Sequence, residues 1–334
     1  MTTFRTTLRA TIAAALLLSL GACSPAAGTP TSAGATSGAT SAGKGVTVTD
    51  LTGREVSVPK PAARVVCLDG TCIDALAELG LQPVASVQWA QVTSPLFFGP
   101  EVSTTKLGGT FFEPDIEGVV AANPELVIGS GGVHAELGKA LGGVPLYLNK
   151  IATDEAAIDN LRNIADLTGR REQADAAIEK YRATLAAYKP GKRPISALSM
   201  YGGATDDIGV DALDSATGRL LARYTNYPWP NAGEGQSGFL EIGLESILKQ
   251  DPAYIWVLDF GFDPKKKPLL EQLAAQPLWK RLSAVKNGQV YAADSAWWGT
   301  TSGTRGQQAV LDTVLPVMYP DEFPKPLSGL PLGR

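Results

Sequence analysis

Cysteine occurs three times in this chain, and two of the three stand five positions apart in Cys67-Leu68-Asp69-Gly70-Thr71-Cys72. Such a pair can hold a metal, cycle between thiol and disulfide, or clasp a loop. A zinc or bare-iron site needs three or four suitable ligands. The sequence offers a single histidine, His134, besides its acids and tyrosines, so the metal reading is the poorest of the three. A thiol at a helix N-terminus has a lowered pKa and is reactive, while Asp69-Gly70 can make the tight turn that brings two sulfurs together. His134 is also the one histidine open to a Ser/His/Asp device, and no GxSxG turn, cluster-binding cysteine set or glycine-rich phosphate loop after the first strand accompanies it. The chemistry-bearing residues point away from an enzyme.

Which of the two remaining cysteine readings holds depends on the compartment. Residues 1–22 carry Arg5 and Arg9, no acid, and the run Thr-Ile-Ala-Ala-Ala-Leu-Leu-Leu-Ser-Leu, too short for a comfortable membrane span; this is the pattern of a secretory signal peptide. Leu20-Gly21-Ala22-Cys23 resembles the lipobox of bacterial lipoproteins, which implies lipidation of Cys23. Residues 23–45 are dominated by Ser, Thr, Gly, Ala and Pro and read as a flexible tether. Loss of Arg5 and Arg9 makes a chain of formal charge −4 more acidic still, which does not suit nucleic acid. A body held outside the cytoplasm by one lipid sits where disulfides persist. That favours the clasp, with free thiols as the alternative.

Roughly 290 residues follow the tether, enough for two domains. Residues 46–58 alternate around Leu51-Thr52-Gly53-Arg54 as a hairpin, and residues 64–68, 72–80 and 83–88 then read as strand, helix and strand. A helix over 115–124 leads into a strand at 125–130, and another strand follows at 144–149. The N-terminal α/β lobe is therefore placed at 46–152. Connecting helices are placed at 153–190, with Gly169 as the break and a long interlobe strut over 171–189 whose buried face is Ala174, Ala177, Ile178, Tyr181, Leu185 and Tyr188. A second α/β lobe takes 191–334, with strands at 195–202, 254–259 and 289–294 and helices around 211–223, 268–275 and 305–317.

The segments TDLTGREVSVPKPAARVVCL, DALAELGLQPVAS, EPDIEGVVAANPELVIGS, GLESILKQDPAYIWVL and LSAVKNGQVYAAD, in that order, resemble the substrate-binding proteins of ABC importers for ferric siderophores, haem and cobalamin. The resemblance runs from about Val46 to the C-terminus. It implies an α/β fold of two Rossmann-like lobes joined by a single long helix, with the ligand in the cleft between them. It also implies a monomer without a cofactor of its own, which hands a ferric chelate to a membrane permease. The family carries an exposed glutamate on each lobe for that contact; the matching positions are Glu117 and Glu245. A glutamate in the first turn of a helix is also favoured by the helix dipole alone.

A ferric siderophore is large and partly apolar, so a receptor needs aromatic walls and a few polar or cationic groups. Strand ends and loops supply Trp89, Phe97 and Phe98 in the first lobe, and Tyr201, Tyr224, Tyr227, Trp229, Phe260, Trp297 and Trp298 in the second. Arg219, Arg223 and Arg305 are the cations best placed to meet an anionic oxygen. The ligand-binding set expected from these is Trp89, Tyr201, Arg223, Tyr227, Trp229, Trp297, Trp298 and Arg305. Cys67 and Cys72, at a strand end and a helix start, should border the cleft. Haem would need a credible axial pair where only His134 or a methionine could serve, and a polyanionic catecholate complex would favour a more basic cleft. A hydroxamate or mixed-type ferric siderophore is the favoured ligand, cobalamin its nearest competitor, and a binding sensor that does not transport is the remaining class.

Overall fold

Val46 and Val48, then Val56 and Val58, alternate with polar residues, and in the computed structural model of this chain that alternation forms a hairpin. Strand β1 (Val46–Thr49) pairs antiparallel with β2 (Glu55–Val58). The connecting turn closes on Asp50, whose Oδ1 accepts from the amides of Thr52 and Arg54 and from the Thr52 hydroxyl at 2.7–3.0 Å. The structure describes residues 45–191, 193–233, 238–260 and 265–332. Cys23 and the expected leader lie outside them, as does the tether up to Lys44.

The first sheet consists of β3 (Val65–Cys67), β4 (Ala85–Ser86), β5 (Thr105–Lys106), β6 (Leu126–Ser130) and β7 (Leu146–Asn149), all parallel in the order β5-β4-β3-β6-β7. Helices α1 (Gly70–Glu78), α2 (Trp89–Thr93) and α3 (Ile116–Ala121) follow β3, β4 and β5. Strands β3, β4, β6 and β7 lack polar alternation because both of their faces are covered, whereas the edge strand β5 is exposed. Val65 and Cys67 enter the main core, whereas Val66, Val127 and Leu148 enter a second cluster on the opposite face with Leu107 and Val119.

Two helices then lead out of this lobe. Helix α4 (Asp154–Thr168) ends at Gly169, which takes a φ of 68° that an L-residue rarely adopts, and α5 (Arg171–Ala187) begins two residues later. At 1.5 Å per residue α5 is about 25 Å long. It buries Ala174, Ile178, Tyr181, Thr184 and Leu185. Tyr188, just past its end, is also buried, but Ala177 is only partly covered. Helix α5 packs along α1, α4 and a C-terminal helix, α10, which spans Thr304–Met318.

The second sheet contains β8 (Ala197–Ala204), β9 (Asp207–Asp211), β10 (Phe239–Glu241), β11 (Tyr254–Leu258) and β12 (Val290–Ala293), in the order β10-β9-β8-β11-β12. Strands β8, β11 and β12 are parallel, and β9 runs antiparallel to both of its neighbours, β8 and β10. This differs from the expected helix over 211–223. Residues Asp207–Asp211 return along β8 as a hairpin, and α6 starts only at Ala216 (Ala216–Ala222), capped by Ser215. The return is tight: a Cβ on Gly202 would stand 2.1 Å from the Asp207 carbonyl oxygen. Helices α7 (Leu244–Gln250), α8 (Leu269–Ala274), α9 (Ser283–Lys286) and α10 complete the lobe.

The two sheets correspond. A central strand (β3 or β8) is flanked by a parallel strand that follows a short helix (α3 into β6, α7 into β11), and beyond it lies the edge strand β7 or β12. The molecule is thus a two-lobed α/β protein with one five-stranded sheet in each lobe.

Candidate functional site

Past the C-terminal end of β7, Thr153 starts α4 by accepting the Ala156 amide on its hydroxyl at 3.1 Å, which leaves Asp154 and Glu155 in the first turn. In the other lobe Ser215 does the same for α6, accepting from the Gly218 amide at 2.8 Å. A cleft of about 510 Å³ lies between these helix starts. Thr153, Asp154 and Glu155 line one side, and Leu213, Ala216, Arg219, Leu220, Ala222, Arg223 and Asn231 line the other, with Gln307 of α10 between them. Gln307 is held in place: its Oε1 accepts from the Tyr181 hydroxyl at 2.6 Å, and its Nε2 donates to the Ser302 carbonyl at 2.9 Å.

The polar character of this cleft comes from four charges. Arg223 makes an ion pair with Asp154 across the cleft, joining the two lobes. Burial pushes the Asp154 carboxyl up, but hydrogen bonding with Glu155 and the charge of Arg223 outweigh it, so Asp154 lies below its ordinary pKa and is ionised at neutral pH. Arg219 is exposed and has no charged partner among the described residues. The acids here were missed from sequence although they carry a signal: two carboxylates in the first turn of a helix that begins just beyond a parallel strand, where α/β folds bind ligands.

Of the expected ligand-binding set, only Arg223 lines this cleft. Trp89 is half-buried at the start of α2, and Tyr201 is half-buried with its ring edge-on to Phe239 and Phe260 at 6.2 and 5.9 Å. The remaining aromatics are packing residues. Tyr224 is buried and donates to the Leu185 carbonyl at 3.0 Å, and Tyr227 donates to the Asp211 carbonyl at 2.6 Å. Trp229 and Trp297 are buried, and Trp298 is fully buried between Trp256 and Trp297, with its Nε1 donating to the Ser199 hydroxyl at 3.2 Å. All five rings belong to the main hydrophobic core. Phe97 is buried as well, and Phe98 half-buried.

Arg305 is likewise committed, to the contact between lobes. Its guanidinium donates to Glu78 Oε1 at 3.2 Å and to the Leu96 carbonyl at 2.9 Å. Beside it, the fully buried Asp74 of α1 reaches the N-terminus of α10 in the other lobe. Asp74 Oδ1 accepts the Arg305 amide at 3.2 Å; Oδ2 accepts the Gly306 amide at 2.7 Å and the Thr301 hydroxyl at 3.1 Å. The carboxylate does for α10 what an N-cap side chain would do. The α10 N-cap is Gly303, and a Cβ there would stand 2.2 Å from Asp74 Oδ1. Desolvation, reinforced by the nearby Glu78, pushes Asp74 up to about 7.

The cysteines sit just behind this contact. Cys67 ends β3, Cys72 lies in the first turn of α1, and a disulfide joins them with their Cα atoms 5.5 Å apart. Asp69 caps the helix by accepting the Cys72 amide on Oδ1 at 2.8 Å, and its Oδ2 accepts from Asn149 at 2.7 Å. Both sulfur-bearing residues are fully buried, so the clasp underlies the interlobe contact and does not border an open cleft as expected. His134 is also buried, with both ring nitrogens engaged. Nδ1 accepts the Ser130 amide at 2.9 Å, which places the proton on Nε2 facing the Phe111 carbonyl at 2.7 Å. A ring so used offers no axial ligand to haem.

Glu117 and Glu245 are exposed in the first turns of α3 and α7, the two helices that occupy equivalent places in the lobes. Each helix leads into a left-handed residue before a proline, Asn123 at φ 49° and Asp251 at φ 42°, and then into the strand beside the central one.

A family model described as periplasmic binding protein matches residues 65–296. A candidate ABC transporter substrate-binding lipoprotein of Bacillus subtilis (strain 168), YhfQ, is 28% identical over 274 residues, covering 77% of this chain and 84% of that protein. The Fe(3+) dicitrate-binding periplasmic protein FecB of Escherichia coli (strain K12) is 25% identical over 268 residues, covering 77% and 86%. Among solved structures, the triscatecholate siderophore binding protein FeuA of Bacillus subtilis, complexed with ferri-bacillibactin, aligns with a TM-score of 0.64 over 81% of this chain and 97% of its own at 18% identity, a likeness of fold.

Proposed function

The chain belongs to the periplasmic binding protein family, and from that premise we propose that it is an extracytoplasmic receptor for a ferric chelate, which it delivers to an ABC-type permease. The observation that carries this reading is the cleft of about 510 Å³ between the lobes, lined by helix starts and by charges from both sides. Its volume lies within the range of small-molecule sites. The relatives named for their ligands bind ferric complexes, one of dicitrate and one of bacillibactin, which favours an iron chelate over cobalamin. The engaged nitrogens of His134 weigh against haem. Asp154 and Glu155 balance Arg219 and Arg223 in the cleft, and such a neutral lining suits a hydroxamate or mixed-type complex better than a polyanion.

In this reading the protein acts as a monomer, tethered through a lipid on Cys23, and presents Glu117 and Glu245 to arginines of the permease. Their exposure on equivalent helices supports that role. Quenching of the six tryptophans by a panel of ferric siderophores, their iron-free forms, cobalamin and haem tests the ligand class. Tight saturable quenching by a ferric complex, with weak quenching by its iron-free form, is the expected result; no response to any ferric complex would refute the proposal. Glu117→Arg combined with Glu245→Arg should leave that binding intact and abolish uptake of the labelled complex by cells, and unchanged uptake would remove the docking role.

A further inference from the structure

Asp154 is not needed to cap its own helix. Thr153 already accepts the Ala156 amide, and the carboxylate of Asp154 turns instead to Arg223 on the opposite lobe. Two arginines and two acids line the cleft, yet the cations differ: Arg223 is neutralised in its ion pair, whereas Arg219, one helical turn earlier on α6, faces the same space without a charged partner among the described residues. An anionic group entering the cleft therefore meets one available guanidinium, and to engage the second it must displace a carboxylate already in place. Outside that pair it also approaches the negative charge of Glu155, whose repulsion grows with the charge it carries.

Resting on the reading of this cleft as the chelate site, we propose that Asp154 is a specificity residue that sets the charge of the ferric complex the receptor accepts, by occupying Arg223 and rejecting polyanions. Arg219 then selects at most one anionic group of the ligand. Neutral or weakly anionic complexes bind; a complex with several negative charges is disfavoured by an element of the site itself and not by its size.

The experiment compares a neutral ferric trihydroxamate with a trianionic ferric triscatecholate, by tryptophan quenching, on the full protein and on Asp154→Asn, Arg219→Gln and the double variant Asp154→Asn/Arg223→Gln. Asp154→Asn should raise the ratio of triscatecholate to trihydroxamate affinity by about tenfold or more, the effect of one released charge-assisted hydrogen bond. The double variant should lose that gain, which a merely structural role of Asp154 would not require. Arg219→Gln should lower the affinity for the anionic complex further. An unchanged preference ratio in Asp154→Asn, with the trihydroxamate still bound by the unmodified protein, overturns the charge selection alone. Failure of the unmodified protein to bind any ferric complex overturns the receptor reading and this inference with it.

Discussion

Asp74 makes the stability of the folded protein depend on pH in a direction opposite to that of an ordinary salt-bridged acid. Its carboxyl is fully buried between the lobes and pushed up to about 7 by desolvation and by Glu78, against the pull of the Gly306 and Arg305 amides and the Arg305 charge. In the unfolded chain it titrates near 4. Between these values the folded state holds a proton that the unfolded state has released, so stability is greatest at the acid end of the window and falls as pH rises through 7. From about pH 5 to pH 8 the loss amounts to roughly 2–3 kcal/mol. The buried Asp211, raised to about 6, and the raised Asp69 act in the same sense, so the slope of the unmodified protein alone does not isolate Asp74. Asp74→Asn does. Both carboxylate oxygens accept amide protons of α10, so the variant points an NH₂ at one of those donors and should be less stable at pH 5 by about 1–3 kcal/mol. Its urea midpoint should nevertheless change with pH less steeply, the two stability curves converging as pH rises from 5 to 8. Parallel curves would refute the assignment of this titration to Asp74.

The buried clasp at Cys67–Cys72 closes a short loop, with a sequence separation of 5, so Cys67→Ser with Cys72→Ser should cost only about 2 kcal/mol by the chain-entropy estimate; denaturant titration checks this, and a loss near zero would mean that the bond constrains nothing the fold does not already hold. Gly129→Ala would place a Cβ 2.6 Å from His134 Nδ1 and should lower stability by about 1–3 kcal/mol through overpacking, measured by the shift in thermal midpoint; a neutral result would show that the imidazole can move off the Ser130 amide.

Much of the framework was legible along the chain because it rests on local physics. The β1–β2 hairpin follows from alternation around Asp50 and Gly53. The strand, helix and strand of the first lobe follow from apolar runs bounded by Pro and Gly, and the break between α4 and α5 from a glycine that takes a left-handed conformation. The pairing of Cys67 with Cys72 was favoured by the compartment and by the turn between them. Glu117 and Glu245 could be matched as counterparts because each heads a short helix that leads into Asn-Pro or Asp-Pro and then a buried strand. The return of Asp207–Asp211 along β8 was not legible: Asp-Ile-Gly-Val-Asp has a weak pattern, and its pairing depends on Gly202 admitting a carbonyl and on Gly209 lying under the Tyr201 ring.

The chain by itself determined the alternation of strands and helices over both halves and favoured Cys67 and Cys72 as a bonded pair, because periodicity, spacing and residue type are properties of short segments. Only the tertiary structure decided which side chains meet. Tryptophans and tyrosines on apparent loops went into the second lobe's core, since burying a large ring is favourable whichever segment carries it. Arg305 and Asp74, 231 residues apart, became partners in the contact between lobes. Arg223 found Asp154 across the cleft, 69 residues away. Long-range pairings of charge with charge and of carboxylate with helix end leave no periodic trace, because they depend on where two lobes stand and not on what neighbours each residue along the chain.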